Sequence, residues 1–245
     1  MWGPAPITFR NDFRYYLLFI DDYSKFAWMY LLKHKSNVFD LFKYFNTYVK
    51  NQFDTKIKIL RTDGGGEYTS TVFNQFCFSN GIIQLTCPHT PQQNGTAERK
   101  HRHLIECSLT MLSHSNLPLS YWSYAISIAT HIINRFPTPV LLNQSPWELL
   151  HKSKPGLSHL RTFGCNCFPL LKPYNSHKLQ PHTKPCVFLG YPAYSKGYIC
   201  LEPTTSRIFT SRRVLFNESK FLSLQSTSLS IDSSVDSSAI SATFH

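Results

Sequence analysis

The chain has 245 residues, 42% hydrophobic and 15% aromatic. That is enough apolar surface for one large domain, or a medium domain with a small companion, and it excludes wholesale disorder. No apolar run approaches the ~20 residues that cross a bilayer, and Met1 to Pro6 carries neither the basic nor the apolar segment of a secretory signal, so a helical membrane protein is excluded and an intracellular one expected. Lys and Arg number 25 against 14 Asp and Glu, a net charge of +11, which favours a polyanionic partner such as nucleic acid.

Tyr15 to Ile20 and Lys25 to Leu32 are rich in aromatic and aliphatic residues and flank Asp21-Asp22-Tyr23-Ser24, a pattern that predicts two strands joined by a turn. From Ser36, read as an N-cap, Val38, Phe42, Phe45 and Val49 recur at helical spacing and predict an amphipathic helix. Lys56 to Arg61 is the next strand. A short helix follows over Thr71 to Ser79, ended by Asn80-Gly81, and Ile82 to Thr86 is another strand. Beyond the loop Cys87 to Gln93, a long helix is expected from about Gly95 to Ser115 and another from about Leu119 to Asn134, with Trp122, Ile126, Ala129 and Ile133 on one face. Ser145-Pro146-Trp147-Glu148 has the form of a capping box at a helix start.

Short strands are expected near Phe163 to Leu170, Cys186 to Tyr191, Gly197 to Glu202, Ile208 to Thr210 and Val214 to Phe216, closely spaced and separated by turn residues, as in a small β-barrel. Leu222 to His245 is Ser-rich, lacks Lys and Arg, and reads as a disordered tail. Three parts result: a mixed α/β region over residues 1–150, a barrel over 160–220 and a tail over 222–245. The seven cysteines form no C-x-x-C pair and read as reduced, buried thiols. Cys165-x-Cys167 places two thiols on one strand face, where packing is favoured over a metal.

Two acidic residues stand where chemistry is conceivable. Asp63 lies where a strand runs into Gly64-Gly65-Gly66, a position open to a ligand and equally one of ordinary turn chemistry. Glu98 lies in the first turn of the long helix, favoured there by the helix dipole alone. Arg99, Lys100 and Arg102 follow it, with Arg102 on its helical face. A carboxylate beside a cationic helix edge suits a metal-dependent enzyme acting on a phosphodiester, and it also suits a solvated charged face.

The strings Arg61-Thr62-Asp63-Gly64-Gly65-Gly66-Glu67-Tyr68 and Cys87 to Arg99, with Trp2-Gly3-Pro4, Tyr121-Trp122, Asn134-Arg135, Phe163-Gly164-Cys165 and Phe188-Leu189-Gly190-Tyr191, resemble the integrase catalytic core of copia-type LTR retrotransposons. The resemblance covers residues 2 to 220 and implies a ribonuclease-H-like mixed sheet flanked by helices, followed by a small Src-homology-type β-barrel. It implies three acids that bind two divalent cations, Mg²⁺ or Mn²⁺, for attack on DNA phosphodiesters. Asp63 matches the second acid and Glu98 the third. The first belongs to a His-x-Asp-x-Trp-Gly-Pro string of which this sequence holds Trp2-Gly3-Pro4, placing that Asp one residue before Met1. The first strand is therefore expected to be largely missing, the metal site impaired and the chain inactive. Asp21 and Asp22 match the turn after the second strand and are not expected to substitute.

Two smaller departures are the Gly64 that stands at a usual Asn, and one residue fewer between Ile83 and Gln84, which is expected to reverse the facing of that strand unless the adjoining loop absorbs it. DNA contacts are expected from Gln93, Asn94, Arg99, Lys100 and Arg102. By the same resemblance DNA is the partner, oligomers form and the nucleus is the location. No zinc site is expected from the remaining His and Cys. Three functions compete: an integrase-core fragment, a non-catalytic nucleic-acid-binding remnant, and a degenerate reading frame.

Overall fold

The computed structural model describes residues 1–7, 12–86, 95–174, 179, 181–193 and 195–222. The expected loop Cys87 to Gln93 lies outside them, as does the expected tail apart from Leu222.

Strands β1 (Tyr15–Ile20) and β2 (Ala27–Leu32) form an antiparallel hairpin, Tyr15 opposite Leu32 and Ile20 opposite Ala27. β2 begins two residues later than expected because the turn extends through Lys25, at φ 57°. The Asp21 carboxylate holds that turn, accepting from the amide and hydroxyl of Ser24 at 2.8 and 2.6 Å. Helix α1 (Val38–Phe53) buries Val38, Phe42, Phe45 and Val49. Ser36 is not its cap: Lys35–Asn37 forms a single 3₁₀ turn, and the Asn37 side chain accepts from the His34 amide at 3.3 Å.

β3 (Ile59–Thr62) is shorter than expected and pairs in parallel with β4 (Ile83–Thr86). Between them α2 (Thr71–Ser79) is capped by the Ser70 hydroxyl, which accepts from the Phe73 amide at 3.3 Å, and is followed by Gly81 at φ 66°. The strands of this region do not join: β1–β2 and β3–β4 are separate two-stranded ladders. Trp2 adds one antiparallel bridge to β1, exchanging hydrogen bonds of 3.0 and 3.1 Å with Tyr16. Both ladders share a core with α1 and α2 that includes Leu17, Phe19, Phe42, Phe73 and Ile82. In β4, Ile83 and Leu85 face solvent while Gln84 is half-buried and donates to the Tyr68 carbonyl at 2.6 Å. That apolar-out, polar-in arrangement is the facing that a one-residue loss predicts.

α3 (Gly95–His114) packs on α4 (Trp122–Ile133), which a 3₁₀ turn over Leu119–Tyr121 precedes. The expected apolar face of α4 meets Tyr16 and Leu104. Its other side, Ala125, Ile128 and Ile132, is apolar too and supports the second sheet. After α4, the Asn134 side chain substitutes for a neighbouring strand, accepting from the Ala27 amide at 2.9 Å and donating to its carbonyl at 2.7 Å. α5 (Pro146–His151) carries the expected capping box, with the Ser145 hydroxyl accepting from the Glu148 amide and the Glu148 carboxylate from the Ser145 amide.

The second sheet comprises β5 (Cys165–Pro169), β6 (Cys186–Gly190), β7 (Tyr198–Leu201), β8 (Ile208–Ser211) and β9 (Val214–Phe221), all antiparallel in the order β8-β7-β6-β5-β9. It is small and barrel-like, and β9 runs five residues past its expected end. Its core joins Phe188, Leu189 and Leu201 to Leu112, Ala125 and Ile128. Gly164, at φ +77°, sits so close to the end of α3 that a Cβ there would lie 2.2 Å from Ser115 Cβ. Cys165, Cys167, Cys186 and Cys200 are fully buried in this core, and burial pushes the Cys165 and Cys186 thiols up to about 12. Cys165 and Cys186 are protonated, and all four cysteines are packing groups.

Candidate functional site

β3 ends at Thr62 and delivers Asp63 to the surface. Its Oδ1 accepts from the Gly65 amide at 3.3 Å, the local turn bond that the sequence suggests. Gly64 adopts φ 76°, a left-handed conformation that Gly and Asn tolerate best, so Gly in place of the family's Asn keeps the backbone course. Glu98 arrives from the first turn of α3. Both acids are exposed, and both line a cavity of about 170 Å³ between β1 and β3. The two residues expected to act together are thus brought to one place.

His101 completes that wall and was not singled out in the sequence, although Glu98-x-x-His101 has the spacing that puts two side chains on one helix face. Its Nδ1 lies 2.9 Å from the Tyr16 hydroxyl. Burial, with a contribution from the Met1 ammonium, pushes His101 down to about 4 against the pull of Asp63, so the imidazole is neutral near pH 7. Tyr16 in turn stacks on Trp2 at 5.2 Å and faces Trp122 at 6.5 Å, which accounts for two aromatic positions in the sequence resemblance. Burial, then Asp63 and Glu67, raises the Tyr68 phenol. Thr62 is buried, and its hydroxyl has no hydrogen-bond partner among the described residues.

Asp21 and Asp22 serve the β1–β2 turn. Asp21 holds Ser24, and Asp22 pairs with Lys25 at 2.7 Å, a hydrogen bond that lowers its pKa. Of the expected DNA contacts, Arg99 and Arg102 are exposed, whereas Lys100 is half-buried and burial lowers its pKa, with Lys25 adding to the effect. Glu98 and Arg102 make no ion pair among the described residues, and Gln93 and Asn94 lie outside them.

Two cations ~3.5 to 4 Å apart need several converging carboxylates. Among the described residues no group of three or more His, Cys, Asp or Glu could hold a metal ion, so Asp63 and Glu98 do not by themselves fit a pair of cations. No helix among the described residues is long and apolar enough to cross a membrane.

Residues 4–91 match the integrase core domain family, and residues 165–230 match the retroviral polymerase SH3-like domain. The chain thus combines an integrase-core region with an SH3-like one. Over 222 residues, 90% of its length, it is 45% identical to the retrovirus-related Pol polyprotein from transposon RE2 of Arabidopsis thaliana. Over 219 residues, 89% of its length, it is 38% identical to the corresponding polyprotein from transposon TNT 1-94 of Nicotiana tabacum. The chain spans only 15% and 16% of the lengths of these two relatives. Among solved structures it is similar to a chain of the simian T-cell lymphotropic virus intasome in complex with the PP2A regulatory subunit B56 gamma (TM-score 0.46, 20% identity, 85% of this chain and 71% of that one). It is also similar to the magnesium-bound, trimeric HTLV-2 integrase catalytic core domain (TM-score 0.42, 21% identity, 55% of this chain and 82% of that one).

Proposed function

We propose that this chain is the integrase-core and SH3-like segment of a retrotransposon polyprotein, with residues 1–150 as the core domain and 160–220 as the barrel. Its ancestral chemistry is metal-dependent DNA strand transfer. As it stands, it binds DNA without joining it. The observation that carries this reading is the cavity in which Asp63 and Glu98 meet with no third acid among the described residues. Mg²⁺ or Mn²⁺ is the cation class that carboxylates of this kind hold, and two carboxylates would offset only half the charge of two divalent ions.

The non-catalytic half of the reading is favoured by the net charge of +11 and by the exposed Arg99 and Arg102 on α3. Contacts from such residues neutralise phosphates and specify little sequence. DNA is the partner, oligomerisation and nuclear location follow from the integrase reading, and the DNA contact expected of Lys100 is weakened by its partial burial.

Incubating the purified chain with oligonucleotide duplex and Mg²⁺ or Mn²⁺ tests both halves. Binding should weaken steeply with salt, the log-log slope growing by about 0.9 per neutralised phosphate, and no joined product should form. Metal-dependent joining that Glu98→Gln abolishes would refute the inactive reading. An unchanged affinity and slope in the Arg99→Ala, Arg102→Ala double variant would remove α3 from the DNA interface.

A further inference from the structure

The outer edge of β2, on the side away from β1, is open beyond its first residue. Backbone groups alternate in direction along an antiparallel strand. Tyr16 lies opposite Leu31, and its amide and carbonyl are bonded to Trp2 on the far side of β1, so those of Leu31 also point away from the pairing, as do those of Met29 and Ala27. At Ala27 the Asn134 side chain occupies this edge, accepting from the amide at 2.9 Å and donating to the carbonyl at 2.7 Å. Next to it, Met29 and Leu31 have no backbone partner on this side among the described residues, where β2 pairs with β1 alone. An edge of this kind is a template for another strand.

We propose that this edge binds an extended acidic and aliphatic peptide of another protein, added as a strand antiparallel to β2. The Asn134 amide already makes at Ala27 the pair of bonds that a neighbouring strand would make, so the edge is set for pairing and the occupant's last residue falls opposite Met29. Its side chains are selected by what flanks the edge. Met29 and Leu31 face α3 and α4, whereas Tyr30 faces α1, where Tyr44, 49% exposed, lies 6.4 Å from the Tyr30 ring and 6.5 Å from Tyr48. The occupant's residue opposite Tyr30 shares this aromatic shelf, which suits a β-branched aliphatic side chain. Charge decides the other end. Lys33, His34 and Lys35 follow β2 and are exposed; Asp12 stands 3.9 Å from Lys33, and Lys35 lies 5.8 Å over the Tyr15 ring. On a chain of net charge +11, that basic end favours an acidic first residue in the occupant. A second copy of the chain would bring the same positive charge and the same short edge. The proposal does not depend on metal binding at Asp63 and Glu98, nor on DNA binding by α3.

The probe is a synthetic acetyl-Glu-Thr-Val-Ile-Val-amide peptide, whose residues run from opposite Lys33 to opposite Met29, added to the full chain and read by amide hydrogen exchange. Exchange at the Met29 and Leu31 amides should slow by about tenfold or more at saturating peptide, while an analogue N-methylated at alternate residues should have no effect. Replacing the peptide's Glu by Lys should weaken binding about fivefold, and Lys33→Glu in the protein should reverse that preference. Three results would overturn the proposal: no protection, equal protection by the N-methylated analogue, or protection of the same amides that rises with protein concentration alone, which makes a second copy the occupant. Equal affinity for the Glu and Lys peptides, or a preference that Lys33→Glu leaves unmoved, would overturn the acidic specificity. The exchange measurement uses the native sequence and is independent of whether that variant folds.

Discussion

In the five-stranded sheet, β6 is buried at every position between β5 and β7, whereas β3 and β4 pair only with each other and show Ile59, Ile83 and Leu85 to solvent. The two regions differ in how many strand edges are satisfied among the described residues. The second sheet, laid on α3 and α4, joins five strands, whereas the β1–β2 and β3–β4 ladders beside the two acids are not joined to each other among the described residues. The difference teaches that the candidate site sits in the less completely paired half of the molecule, and that most of the packing precision lies in the other half.

The largest test of that contrast is Gly164→Val. The residue would have to hold φ +77° with its Cβ driven into Ser115, and the combined strain and overpacking should cost about 3 to 5 kcal/mol in a urea titration. A loss under 1 kcal/mol would show that the second sheet is not packed as tightly as its geometry requires. The next effect is pH dependence. His131, in the last turn of α4, has its Nε2 3.0 Å from His159 Nε2, and burial, with Arg135 and His159, pushes it down to about 3. A depressed histidine keeps its proton better in the unfolded chain, so stability is full above pH ~6.5 and is lost as pH falls toward 3, by an amount on the order of 2 kcal/mol. His131→Phe should flatten thermal stability between pH 7 and 4; an unchanged profile would assign the acid sensitivity elsewhere.

A smaller effect addresses the weaker half. Inserting one Ala between Ile83 and Gln84 should turn Leu85 inward and Gln84 outward. Burial of Leu85 against loss of the Gln84 bond to Tyr68 leaves a net gain of about 1 kcal/mol. Destabilisation instead would mean that the present register is the fitted one. The smallest effect is expected from Ile59→Thr, within ~0.5 kcal/mol, because the side chain is already 54% exposed.

Much of the fold was legible because it was local. The aromatic and aliphatic run Tyr15 to Ile20, the Asn80-Gly81 stop and the Ser145 capping box each depend on a few neighbouring residues, and all appear where the sequence puts them. Ser36 was misread because Asn37 competes for the same turn with a longer reach. The second apolar side of α4 was missed because a helix of Ile, Ala and Ser has no polar stripe to break its pattern, and only the arrival of the second sheet decides what Ala125 and Ile128 meet. Asp63 and Glu98 were found through sequence strings, and their meeting in one cavity needed the fold. The spacing that sets His101 on the helix face of Glu98 is present in the sequence, but its contact with Tyr16, 85 residues away, and the burial of the Thr62 hydroxyl needed the fold.

The two apolar sides of α4 bind the fates of the two regions. A helix that serves as a common wall cannot lose one sheet without baring Ala125, Ile128 and Ile132, or the other without baring Ile126 and Ala129. Melting should therefore be one cooperative event, and the half that carries the acids, with few strand partners of its own, borrows its persistence from the sheet it does not touch chemically.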